Sequence, residues 1–163
     1  MKTRLLAAAI LAAASFFSAQ AQDFTLTESG YFRNHGVDAM AFNDYYPEGH
    51  QGGISVIMHG KRIVTNGDIR FEPTPGQWQP LPKQQERVLE GNTVSTTMHY
   101  PDMEQHLRGF NPMIYPDYEF SYTVRVTGQE KAVVVTVDLD KPIPVEYAGK
   151  MCFNLELFPG DLF

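Results

Sequence analysis

The most constraining feature of the chain is a strict two-residue alternation in its C-terminal third. In Tyr118-Glu119-Phe120-Ser121-Tyr122-Thr123-Val124-Arg125-Val126 the aromatic and valine residues take every second position, with acids, hydroxyls and a guanidinium between them. Successive side chains of an extended backbone point to opposite faces, so this segment reads as a strand with one face in a core and the other in water. Thr127-Gly128-Gln129-Glu130 reads as the turn into Ala132–Leu139, its hairpin partner. Within that partner Val133-Val134-Val135 is apolar on both faces, which predicts a central strand.

The rest of the chain carries the same punctuation. Short runs rich in Val, Ile, Thr, Tyr and Phe occur at 24–28, 37–42, 54–58, 62–65, 69–71, 84–90, 93–100 and 150–158. Between them lie His59-Gly60-Lys61, Asn66-Gly67-Asp68 and Gly91-Asn92 as turn signals, Asn-Gly being the strongest of these for a hairpin. No segment shows a convincing helical period. The fold expected is therefore all-β, an antiparallel β-sandwich.

Three long loops interrupt the strands. Residues 43–53 hold Asn43, Asp44, Tyr45, Tyr46, Glu48 and His50 before Gly52-Gly53, a polar and aromatic loop presented by two strands. Residues 72–83 carry Pro73, Pro75, Pro80 and Pro82 around Trp78. Proline withdraws backbone donors, so this stretch runs over the surface or along an edge. Residues 101–116 form the third loop, with Asn111-Pro112 and Tyr115-Pro116.

Residues 1–21 read as a signal peptide: Lys2 and Arg4, an alanine-rich apolar run, then Ala19-Gln20-Ala21. The apolar run is shorter than the roughly 20 residues that cross a bilayer, so no membrane span is expected. Cleavage after Ala21 would deliver residues 22–163 to the periplasm or the outside as one domain. The formal net charge is −6, and the leader holds basic residues but no acids, so the mature chain is more acidic still. Nucleic acid and anionic membrane surfaces are thereby disfavoured as partners, and neutral ligands suit the chain better. The single cysteine, Cys152, cannot form an internal disulfide. Alternation puts it opposite Met151, Phe153, Leu155 and Leu157, on the face of Asn154 and Glu156, and no basic partner marks it as a nucleophile.

No catalytic signature is present, and no catalytic residue, metal or cofactor is assigned. The five histidines lack metal-ligand spacing. A site built from His35, Asp38, Asp44 and His50 would require the 43–53 loop to fold back on its strand. Asp44 and Glu48 are acids close in sequence, without a cleft to give them the separation that glycoside hydrolysis needs. Trp78 has two readings. Exposed on a stiff loop, its indole would stack on a sugar ring. Folded down, the expected case, it would plug one end of the sandwich. Tyr45 and Tyr46 share that ambiguity, and Trp78, Tyr45, Tyr46, Asp44 and His50 form the candidate carbohydrate-contact set.

Four runs carry a family likeness: Y-F-R-N-H-G-V-D-A-M-A-F-N-D-Y-Y-P-E-G-H-Q-G-G, M-H-G-K-R-I-V-T-N-G-D-I-R-F-E-P-T-P-G-Q-W-Q-P, G-F-N-P-M-I-Y-P-D and F-N-L-E-L-F-P-G. Together they resemble the N-terminal region of large secreted bacterial enzymes of glycoside hydrolase family 9. The resemblance covers residues 23–163. It implies a parent enzyme that cuts plant β-glucan-type polysaccharide with an α/α-barrel catalytic domain, of which this segment is the front sandwich. None of the barrel is present, so no catalytic residue carries over. The apolar stretch at 157–163 is expected to face a downstream catalytic domain. The alternatives are a free-standing carbohydrate-binding module using Trp78, Tyr45 and Tyr46, and a small enzyme resting on Asp44 and His50.

Overall fold

The computed structural model describes residues 23–42, 53–106, 112–158 and 160. In chain order its strands are β1 (Thr25–Leu26), β2 (Phe32–Asn34), β3 (Val37–Ala41), β4 (Ile54–Met58), β5 (Lys61–Phe71), β6 (Lys83–Gln84), β7 (Val88–Glu90), β8 (Thr93–Tyr100), β9 (Phe120–Gln129), β10 (Ala132–Leu139) and β11 (Met151–Leu157). They form two antiparallel sheets. One runs β1-β2-β3-β4-β5-β11, and the other runs β10-β9-β8-β6 with β7 also paired to β8. Among the described residues the chain also forms a single helical turn at Met103–His106 and a 3-10 turn at Val145–Tyr147. The all-β sandwich expected from the alternation is what the chain forms.

The core lies between the sheets, and the alternation explains which residues fill it. β8 and β9 contribute Val94, Met98, Tyr100, Phe120, Tyr122, Val124 and Val126, while the first sheet contributes Phe32, Ala39, Ala41, Ile54, Ile69 and Phe71. Gly128 of β9 lies against Phe24 beside β1, and the Tyr122 hydroxyl reaches Ile69 of β5. Six residues of β9 span about 20 Å, which matches the four spacings of about 4.8 Å from β1 to β5. The strands of the two sheets therefore cross steeply, as in orthogonal sandwiches.

Several local expectations are corrected. Asn66-Gly67 is not a hairpin turn: β5 runs unbroken through it, with Asn66 at φ 73° and Gly67 at φ 106°. Asn154 pairs with Asp68 but Leu155 pairs with Asn66, so Gly67 is the extra residue of a β-bulge. An Asn-Gly pair supplies positive φ, which a bulge needs as much as a primed turn does. The two tight primed turns of this sheet are instead His59-Gly60, as expected, and His35-Gly36 between β2 and β3, which sequence reading passed over. β10 is an edge strand rather than a central one. Its inner valines Val133, Val135 and Val137 are half-buried, and Val134 faces out. The β9–β10 turn is Glu130-Lys131, two residues later than the sequence suggested. The 84–90 run divides into β6 and β7, both paired to β8.

Candidate functional site

A groove of about 470 Å³ opens on the outer face of the first sheet, over β5 and β11. Its floor follows from strand parity. Ile69, Phe71, Met151 and Phe153 pack inward, so Arg70, Glu72, Cys152 and Asn154 point outward into the groove. Antiparallel register sets them side by side, with Arg70 opposite Cys152 and Asp68 opposite Asn154. The pairing extends one residue further through the Glu72 N–H to Lys150 carbonyl bond of 2.7 Å, which brings Lys150 beside Glu72.

The wall is the proline-rich segment, and here the plug expected of Trp78 is overturned. Trp78 is 65% exposed and lines the groove together with Gln77, Gln79 and Met113. Pro80, two residues on, is the side chain of this loop that is fully buried. A buried prolyl ring leaves no donor unpaired, whereas a buried indole must find a partner for its N–H. The loop is tied down in the two residues just before the ring. Glu72 accepts the Gly76 N–H at 2.7 Å, and the Gln77 amide donates to the Pro112 carbonyl at 3.0 Å.

Arg70 is the best-anchored polar group of the groove. Its Nε and Nη2 donate to the two oxygens of Asp68 at 2.9 and 3.3 Å, a two-pronged pairing that sets the plane of the guanidinium. Asp68 is buried. Burial pushes its carboxyl above the ordinary carboxylate range, Arg70 pulls it back, and the nearby Glu156 adds a small upward push. Arg70 and Lys150 offset Glu72 and Glu156 along the groove, so its lining is charged but balanced.

Of the candidate carbohydrate-contact residues, Trp78 is the one that lies among the described residues, and it lines this groove. Asp44, Tyr45, Tyr46 and His50 lie outside the described residues, as do residues 1–22 and Leu162 and Phe163. Asp38, the other acid of the suggested metal set, is held by Arg33 at 2.7 and 3.1 Å. No group of three or more metal-ligating side chains occurs among the described residues. Sequence reading missed Arg70, Asp68, Gln77 and Lys150. Their polarity was visible, but the pairing of β5 with a strand some 80 positions later was not. It also missed a Ser–His contact, His99 Nδ1 to Ser121 Oγ at 2.6 Å. That pair joins neighbouring strands β8 and β9 on the outer face of the second sheet, with Gln85 on the other ring nitrogen. No acid orients the imidazole there, so the pair is a cross-strand link rather than an activated nucleophile.

Leu157 is 60% exposed, and Leu155 and Phe158 are also open to solvent. β11 is the outermost strand of its sheet, so the second sheet covers Met151 and Phe153 but not the strand's far half.

No family model, curated protein or solved structure matched the chain.

Proposed function

We propose that the chain is a non-catalytic, carbohydrate-binding front module of a secreted glycoside hydrolase acting on β-glucan-type polysaccharide. One observation carries this reading: a solvent-exposed indole on a tethered loop beside a balanced, polar groove. The apolar faces of pyranose rings stack on aromatic rings, and their hydroxyls pair with planar, fixed groups such as Arg70, Gln77 and Asn154. The family likeness of the four sequence runs adds the enzyme context, and the leader adds export. The solvated row Leu155, Leu157 and Phe158 supports the accessory role, since a catalytic domain packed on β11 would cover it.

The test is isothermal titration of the purified protein with soluble β-glucan and xyloglucan, beside an assay for reducing ends. Binding by the native chain, loss of at least about tenfold in Trp78→Ala, equivalent to ~1.4 kcal/mol, and no release of reducing ends are expected. Absence of binding, or equal binding by Trp78→Ala, refutes the carbohydrate reading. Release of reducing ends refutes the non-catalytic one.

A further inference from the structure

We infer that the groove takes the interior of a linear, uncharged polysaccharide laid lengthwise along β5 and β11, not a chain end or a single sugar. This rests on the carbohydrate-binding reading above and specifies its ligand.

The first argument is length. The floor is a ladder whose rows are Glu72 beside Lys150, Arg70 beside Cys152, and Asp68 beside Asn154. Glu156 follows across the bulge, opposite Thr65. From Lys150 to Glu156 the strand advances six residues, about 20 Å at ~3.3 Å each. That is several pyranose rings end to end, and the groove touches side chains along the whole run. A pocket for one sugar would gather its polar groups at one point. Here they are strung out at strand spacing.

The second argument is the division of chemistry along that run. The Trp78 loop leaves β5 at Glu72 and is pinned there by the Glu72–Gly76 bond, so the stacking platform belongs to that end. Asn154 and Glu156 stand four and six residues further along β11 from Lys150, the residue beside Glu72. A ligand using both must be extended enough to stack at one end and offer hydroxyls at the other.

The third argument is charge. Arg70 is paired with the Asp68 carboxylate, and Lys150, bonded through its backbone to Glu72, shares the groove with Glu72 and Glu156, so its cations alternate with acids instead of forming a cationic row. A uronate chain presents a carboxylate at every ring and needs a row of free cations to meet it. Hydroxyls donate and accept, which suits alternating donors and acceptors.

The experiment titrates the full chain with glucose, with cello-oligosaccharides from two to six units and with polygalacturonate, following Trp78 fluorescence and heat. Affinity is expected to rise at least about tenfold from the disaccharide to the longer oligosaccharides. Glucose and polygalacturonate should fail to compete. In Asn154→Ala and Glu156→Ala the gain with length should be lost, so that long oligosaccharides bind like the disaccharide. Equal affinity at all lengths, a uniform loss at all lengths in the two variants, or competition by glucose overturns the interior-chain inference while leaving carbohydrate binding intact. Competition by polygalacturonate overturns the uncharged class. Binding at no length removes the carbohydrate reading and this one with it.

Discussion

The phenol oxygen of Tyr122 accepts the backbone N–H of Ile69 at 2.9 Å, across the core from one sheet to the other. Ile69 lies two residues after the Gly67 bulge, where the β5 ladder is disturbed, and Tyr122 supplies the acceptor that an uninterrupted core of hydrocarbon would lack. Burial correspondingly drives the Tyr122 phenol far above its ordinary range, so it stays a neutral group.

Tyr122→Phe is expected to cost about 1–3 kcal/mol, because the Ile69 N–H is left buried without a partner. Tyr100→Phe should cost less or nothing. The Tyr100 hydroxyl is buried beside the Phe71 backbone but makes no well-formed hydrogen bond, so its removal strands no partner. Urea denaturation of the two variants, read by circular dichroism, checks the order. A Tyr100→Phe loss equal to that of Tyr122→Phe contradicts it.

Beside the 2.8 Å bond from the Phe24 N–H to the Glu130 carbonyl, the Asn92 side chain ties the N-terminal segment to the second sheet. The Asn92 amide donates to Phe24 and Gly128 carbonyls at 2.8 and 2.6 Å, and its oxygen accepts the Leu26 N–H at 2.7 Å. Asn92→Ala should destabilise by roughly 2–3 kcal/mol and speed hydrogen exchange at Leu26. Gly128→Ala should free the same strand by a different route, since a Cβ there would lie 2.4 Å from the Phe24 carbonyl oxygen. Unchanged exchange at Leu26 in both variants would show that β1 is held by other contacts.

Trp78→Ala is expected to change stability by less than about 0.5 kcal/mol, as for a surface substitution. A buried tryptophan would cost about 3–5 kcal/mol on truncation. Because Trp78 is the only tryptophan, iodide quenching of native emission reports on it alone, and strong quenching is expected. Weak quenching with a large stability loss would restore the plug.

Asp68 sets a pH dependence whose sign is opposite to that of an ordinary surface ion pair. Its carboxyl is raised above the ordinary 3.8, chiefly by burial. The folded state therefore holds the proton more tightly than the unfolded chain. The stability from this group is full below 3.8 and is lost as pH rises through the raised folded value. Asp68→Asn is neutral at every pH, as the native side chain is below its raised value, and so removes the titration. The variant should thus gain on the native chain as pH climbs from 3.8 toward neutrality. Urea midpoints for both between about pH 3 and 7 give the slope, and a gap that widens against the variant in that window would reverse the sign.

How much was legible in the sequence differs between strand and neighbour. Tyr118–Val126 declared itself because side-chain direction in a strand is a local property, and the faces read from it are those found in β9. Cys152 likewise fell on the predicted outer face of β11. Asn66-Gly67 misled because positive φ is local but its use is not: the same dihedrals serve a turn or a bulge, and the partner strand chooses. Val133-Val134-Val135 misled for a related reason, since a β-branched run suits any strand and its place in the sheet depends on what pairs with it.

The candidate groove shows the same boundary. Period and composition determined by themselves that the chain would form antiparallel strands, that His59-Gly60 and Gly91-Asn92 would be turns, and which residues of β11 would face outward, because each follows from forces within a few residues. Only the tertiary structure decided that Arg70 and Cys152 stand side by side, that Pro80 and not Trp78 enters the interior, and that β11 forms an edge. Those outcomes depend on contacts between segments up to 80 positions apart, whose free energies compete over the whole core and leave no mark on either segment alone.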